Sequence, residues 1–105
     1  MAKSNKEIIA AFVLDFKRRK EAALRDSLIA VCQRQIRRLQ MDMGWVAGRY
    51  GLHSAPEMQA LHAEGRFQDG DGRRDLRRVA EMQVQADRLA AFVRALQDAA
   101  AQPSA

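Results

Sequence analysis

The chain is poor in residues that interrupt helices or cross-link chains, with two prolines and one cysteine among 105 residues. A lone cysteine, Cys32, excludes an internal disulfide and favours a reducing compartment, so we expect a cytoplasmic protein. Strand-like alternation is absent beyond four residues, which argues against a sheet. The N-terminal apolar run is short and is followed at once by Asp15 and a Lys/Arg cluster. We therefore expect neither a signal peptide nor a role at a membrane.

Large apolar residues are also scarce. Only six residues are aromatic, and 19 of the apolar residues are alanines, which bury little surface. A chain of this length forms one domain with a modest core, and such a core favours closely packed helices and self-association. We predict a single helical domain over residues 1–105, with frayed tails at 1–4 and 101–105, that forms a homodimer.

Groups that could support catalysis or hold a metal are few. Cys32 lies on an apolar helix face, where a buried, inert thiol is the ordinary interpretation. His53 and His62 are nine residues apart, without neighbouring Cys or His ligands. The segment "DGDGRRD" resembles part of a calcium loop, but the ligand positions at its two ends would be Phe67 and Arg78. We expect no metal, no cofactor and no enzymatic activity.

Helix signals dominate the first half. Ser4 and Glu7 form a capping box before a run that no proline interrupts, and Gly51 suits a left-handed helix end. These signals predict a helix over about 5–50, with a bend conceivable near 17–22. Apolar residues recur on it at helical spacing: Ile9, Phe12, Phe16, Ala23, Leu28, Cys32, Ile36, Leu39, Met43, Val46 and Tyr50. Gly44 and Gly48 suggest close approach by another element or fraying.

The second half predicts two more helices. Ser54 and Glu57 form another capping box, with Pro56 in the first turn, which predicts a short helix over about 55–64. A glycine-rich turn is expected over 65–72, before a helix over about 73–100. That last helix carries a heptad seam that could serve as core or dimer contact: Val79, Met82, Ala86, Leu89, Val93 and Leu96. The expected fold is all-α: an antiparallel hairpin that dimerises into a helical bundle.

The charge is basic, +5 with a pI of about 10.1, and 14 of the 18 basic residues are arginine. This balance favours a polyanionic partner such as DNA. Four arginines, at 73, 74, 77 and 78, open the last helix, where cations oppose the helix dipole. Such a placement suggests phosphate binding, although a solvated face with Arg77 paired to Glu81 would also explain it. The candidate nucleic-acid-binding residues are Arg34, Arg37, Arg38, Arg49, Arg66, Arg73, Arg74, Arg77 and Arg78.

One segment suggests a DNA-reading motif. In "WVAGRYGLHSAPEMQALHAEGRF", residues 45–67, Ala47, Gly51 and Leu52 follow the small–Gly–apolar order of a helix-turn-helix. The closing "EGRF" resembles the exit of small excisionase-like and repressor-like helix-turn-helix domains, a resemblance limited to this segment. It departs from the pattern at Glu57, where an apolar core residue is expected, and Met58 comes one residue late. A corner between two structural helices is therefore the preferred interpretation.

Three functions remain open. The first is a small basic nucleic-acid-associated accessory or regulatory protein, of the kind that phages and plasmids carry, which dimerises and binds DNA phosphates through its arginines. The second is a protein-binding adaptor, chaperone, antiactivator or inhibitor that uses the surface of a helical bundle. The third is a structural subunit of a larger assembly.

Overall fold

The computed structural model describes residues 4–102, which form three α-helices and, within that range, no strand. Helix α1 spans Asn5–Gly48, α2 spans Ala55–Ala63 and α3 spans Gly70–Ala101. The all-α prediction is confirmed, and α1 runs through residues 17–22 without a break. The tail positions at 1–3 and 103–105 lie outside the described residues.

The two predicted N-caps form as the sequence indicates. The Ser4 hydroxyl accepts a hydrogen bond from the Glu7 backbone N–H at 3.3 Å, and the Ser54 hydroxyl accepts one from Glu57 at 3.4 Å. The Glu57 carboxylate reaches back to the N–H of His53 at 2.9 Å, one residue before the cap. Each serine therefore satisfies a backbone donor that the first helical turn leaves unpaired.

The start of α3 differs from the prediction. It begins at Gly70, so the expected turn over 65–72 is wrong for its last three residues. Phe67, Gly65 and Gly70 take left-handed φ angles of 61°, 97° and 64°, so the chain turns through these three residues and not through Gly72. Gly72 is already helical, and a Cβ placed on it would lie 3.1 Å from the Phe67 ring. The glycine at 72 therefore gives space to Phe67.

The glycines near the end of α1 divide into two physical classes. Gly51 has a left-handed φ of 73°, as predicted for a helix end, whereas Gly44 is helical and nothing lies within 4 Å of an added Cβ. The same holds for Gly48, so the close approach that these two glycines suggested is absent.

We expect Gly51→Ala to lower the free energy of unfolding by about 1 kcal/mol, because a Cβ is disfavoured at positive φ. Gly44→Ala should raise it by about 0.5–1 kcal/mol, since alanine is the better helix former and the added methyl meets nothing. Urea denaturation followed by circular dichroism measures both. If the two substitutions changed the free energy of unfolding in the same direction, the distinction between the two kinds of glycine would be wrong.

The core lies where the three helices meet. It consists of buried residues from all three, with Tyr50, Leu52, Phe67 and Met82 packed around them: Met43, Val46, Ala55, Met58, Leu76 and Val79. Helix α1 contacts α3 most extensively, and α2 contacts both. The short α2 therefore closes one end of the α1–α3 pair.

The predicted heptad seam of α3 is covered within a single chain. Val79, Ala86 and Val93 are buried at seven-residue intervals, while Met82, Leu89 and Leu96 between them are half-buried. On α1 a row of covered positions also steps by three and four, with Gly44 and Ala47 covered beside it and Tyr50 continuing it just past the helix end: Ala22, Arg25, Ile29, Cys32, Ile36, Leu39, Met43 and Val46. These positions correct part of the predicted stripe, since Ile29 takes the place of Leu28, which is exposed. Dimerisation stays a prediction.

Among residues 4–102, no other helix packs against the first part of α1. Every residue from 4 to 21 is exposed, including Ile9, Phe12 and Phe16, which the spacing had assigned to an apolar face. The molecule measures 77 × 20 × 18 Å, with a radius of gyration of 22.6 Å. A compact chain of this length has a radius of gyration of about 13 Å. We call residues 4–21 the N-terminal arm.

Candidate nucleic-acid interface

A tyrosine–aspartate pair ties the end of α1 to the start of α3. The Tyr50 hydroxyl donates a 2.6 Å hydrogen bond to Asp75 Oδ2, and the same oxygen lies 3.9 Å from Arg49 Nη1. Asp75 is only 8% exposed, and the Tyr50 ring also contacts Phe67 edge-on, with centroids 5.1 Å apart. Asp75 therefore joins the start of α3 to the end of α1 through Tyr50. Its role in joining two helices was missed, because 25 residues separate it from Tyr50.

The same contact changes the acidity of the tyrosine. The hydrogen bond to Asp75 raises the pKa of Tyr50 above its ordinary value of 10.0. Burial and the negative charges of Asp75 and Asp71 act in the same direction, and Arg49 opposes them. A raised pKa in the folded protein means that the neutral phenol is stabilised by folding. This contribution is complete below about pH 10 and is lost as the pH rises through the folded-state pKa.

We expect Tyr50→Phe to lower the free energy of unfolding by about 1–3 kcal/mol at neutral pH, because the nearly buried Asp75 carboxylate loses its donor. Tyr50 is the sole tyrosine, so its titration can be followed directly by tyrosinate absorbance. The wild-type midpoint should lie above pH 10, and the wild type should lose stability above that pH more steeply than the variant. A midpoint at or below 10 in the folded protein would contradict the role of Asp75.

Five arginines surround this junction. Arg49, Arg74 and Arg78 line a shallow depression with Tyr50 and the two aspartates, and Arg73, Arg74 and Arg77 line an adjoining one. All five are exposed. Arg74 pairs with Asp71 at 3.3 Å and stays 75% exposed. The structure therefore brings five of the nine predicted residues together. We call Arg49, Arg73, Arg74, Arg77 and Arg78 the junction arginines.

The arginines of α3 do not themselves carry the unpaired N–H groups of its first turn. Because α3 begins at Gly70, Arg73 is its fourth residue, and the Arg73 N–H already bonds to the Asp69 carbonyl at 3.4 Å. The unpaired donors of the first turn belong to residues 70–72. Among residues 4–102, no ion pair joins Arg77 to Glu81, so the predicted pairing is also absent. Phosphate binding here would depend on the guanidinium groups.

The other predicted arginines lie elsewhere. Arg34, Arg37 and Arg38 are exposed on the side of α1 opposite the buried Cys32 and the half-buried Ile36. The junction arginines of α3 likewise point away from α1, so the two groups occupy opposite sides of the helix pair. Arg66 is exposed in the loop between α2 and α3. An arginine outside the predicted set, Arg88, lines a shallow depression along α3 together with Arg77 and Glu81.

A second surface feature is apolar. Met41, Gly44, Trp45, Gly48 and Arg49 line a shallow depression on α1. Trp45 is 74% exposed, although tryptophan is the largest apolar side chain. We call these five residues the Trp45 patch.

The helix-turn-helix segment forms a tight corner. Ala47 and Met58 are fully buried where α1 and α2 meet, which explains the small and apolar residues at those positions. Gln59 and His62, polar side chains of the kind that can contact base edges, are exposed on α2, which is nine residues long. Packing between α1 and α2 is enough to explain these small and apolar residues. They therefore fit a structural corner as well as a DNA-binding helix-turn-helix.

Two further observations concern metal ions and membranes. Among residues 4–102, no group of three His, Cys, Asp or Glu side chains is placed to hold a metal ion. No helix in the same range is long and apolar enough to cross a membrane.

The protein is an all-α chain with an exposed arginine cluster beside a tyrosine–aspartate pair. Comparison with protein-family models, curated proteins and solved structures found no match to the chain.

Proposed function

We propose that the protein binds nucleic acid, with duplex DNA as the first candidate, through the junction arginines. The single observation that supports this proposal most is the convergence of five exposed guanidinium groups, from the end of α1 and the first turns of α3, on two adjoining depressions. Only Asp71 and Asp75 offset them there. Arginine suits this role because its planar donor group can bind two phosphate oxygens at once.

The Tyr50–Asp75 pair would hold this surface in place. By joining the two helix ends, it fixes the position of Arg49 relative to Arg74 and Arg78. We further propose that α1 and α3 form an antiparallel hairpin, that the protein acts as a dimer, and that it works in the cytoplasm, where a lone thiol remains reduced. Contacts of this kind hold a phosphate backbone and carry no sequence information, so an accessory or regulatory role on DNA fits them best.

The test is binding of the full chain to a random duplex by fluorescence anisotropy at several salt concentrations. Five phosphate contacts predict a decrease in affinity of about five hundredfold between about 50 and about 200 mM salt. Absence of binding at the lower concentration, or binding that salt does not weaken, would contradict the proposal.

A second candidate function is protein binding through the Trp45 patch. Tryptophan, methionine and arginine are enriched at protein interfaces, and the patch exposes all three around two glycines. This adaptor function would replace the first if the duplex does not bind. A Trp45→Ala chain then provides the matched control for partner capture, because that side chain makes no core contact. The alternative of a structural subunit predicts particles much larger than a dimer by light scattering.

A further inference from the structure

The N-terminal arm is exposed throughout and carries six of the thirteen exposed large apolar side chains found among residues 4–102. Five large apolar side chains lie on it at spacings of one and three residues, each more than half exposed: Ile8, Ile9, Phe12, Val13 and Phe16. This spacing places them along one stripe of the helix. Most helical stability in proteins comes from packing an apolar face, and the stripe on residues 4–21 packs on no other part of the described chain. A partner would bury this stripe.

We propose that this partner is the arm of a second copy of the chain, and that the two arms pair antiparallel around Phe12. The α3 heptad seam is unavailable for this purpose, because α1 already covers Val79, Ala86 and Val93 within one chain. A second arm offers an apolar stripe of equal length and spacing, so that each large side chain meets another. The inference is independent of nucleic-acid binding.

The apolar area available on two arms is sufficient for a specific but dissociable dimer. Phe12 and Phe16 are 66% and 57% exposed. With the three aliphatic residues, two arms can bury about 800 Å² of apolar surface. Apolar area is about two thirds of a homodimer interface, which brings the total to about 1,200 Å². This value is at the lower end of the range for specific interfaces and predicts a dimer that dissociates on dilution.

Charge selects the orientation and the kind of partner. The basic run Lys17–Lys20 follows the apolar stripe directly. In a parallel pair the two runs would lie side by side, whereas antiparallel pairing around Phe12 separates them by about 20 Å, which exceeds the screening length in physiological salt. A membrane surface fits less well, because Glu7, Asp15 and Glu21 interrupt the polar face that such helices keep basic.

The experiment is sedimentation equilibrium of the full chain, without nucleic acid, from micromolar to several hundred micromolar. We expect a concentration-dependent dimer, and the double substitution Phe12→Ser/Phe16→Ser should weaken it more than a hundredfold. The control is Phe92→Ser, which removes an exposed phenylalanine of α3, 46% exposed, and should leave the dimer unchanged. Circular dichroism verifies that all three chains stay helical, as expected for exposed substitutions.

Three outcomes would overturn the proposal. These are a wild type that is monomeric throughout, a dimer that the arm variant retains, and a dimer that Phe92→Ser abolishes equally. The orientation is tested separately in a Cys32→Ser background. Mixed Ile8→Cys and Phe16→Cys chains should form the disulfide between unlike chains, whereas predominance of disulfides between like chains would overturn the antiparallel arrangement. DNA affinity does not enter any of these measurements, so failure of the proposed function would leave them unaffected.

Discussion

Replacing the four arginines at the start of α3 by glutamine is expected to lower the affinity for random duplex DNA at low salt more than a hundredfold. The residues are Arg73, Arg74, Arg77 and Arg78. Each lost phosphate contact removes about 0.9 from the slope of log affinity against log salt, which amounts to about tenfold in affinity near 50 mM. The wild-type slope of about −4.5, for five contacts, should therefore fall to about −0.9. Anisotropy titrations at four or more salt concentrations give both quantities.

The matched control is the triple substitution of Arg34, Arg37 and Arg38 by glutamine. It makes the same chemical change on the opposite side of the helix pair, so it alters the net charge almost as much without touching the junction. We expect it to reduce affinity less than tenfold and to change the slope by less than one. Equal losses for the two sets would show that general charge, and not the junction, attracts DNA. No loss for either would contradict the proposed interface.

The second large effect concerns stability. Met58→Ala should lower the free energy of unfolding by about 2–5 kcal/mol, because it removes a side chain that is 0% exposed and leaves a cavity among all three helices. A protein of this size is stable by only about 5–15 kcal/mol, so part of the variant could be unfolded at 37 °C. Urea denaturation followed at 222 nm measures the change.

Met41→Ala is the control for this prediction, because Met41 is 65% exposed and also lies on a helix. Its effect should stay within about 0.5 kcal/mol. Met58→Leu, which nearly conserves volume, should cost less than about 1.5 kcal/mol. A Met58→Ala variant as stable as Met41→Ala would mean that α2 does not close the core.

The two variant sets also separate fold from function. If Met58→Ala weakens DNA binding only in proportion to its unfolded fraction, the interface depends on the folded junction. Tyr50→Phe gives a finer test of the same point, because it releases Arg49 from a fixed position while α1 and α3 stay packed. We expect its DNA affinity to fall several-fold, less than for the loss of four arginines.

Local features of this fold were accessible from sequence. The serine caps, the left-handed Gly51 and the helical repeat of α3 each depend on residues within about one turn of one another. Interactions at that range are encoded by residue type and spacing, and so the three helices and most of their ends were predicted. The start of α3 was predicted three residues late, because the chain has completed its turn at Gly70 and Gly72 is already helical.

The sequence by itself determined the all-α class, the capped helix starts and the basic charge, because these follow from local spacing and composition. Only the tertiary structure decided which apolar residues are buried. Phe12 and Val46 occur at the same helical spacing, yet Val46 is covered and Phe12 is exposed, since none of the other helices among residues 4–102 covers residues 4–21. The tertiary structure likewise placed Arg49 with Arg78, and Tyr50 with Asp75 across 25 residues. Such contacts depend on how whole helices pack, and no local pattern records that.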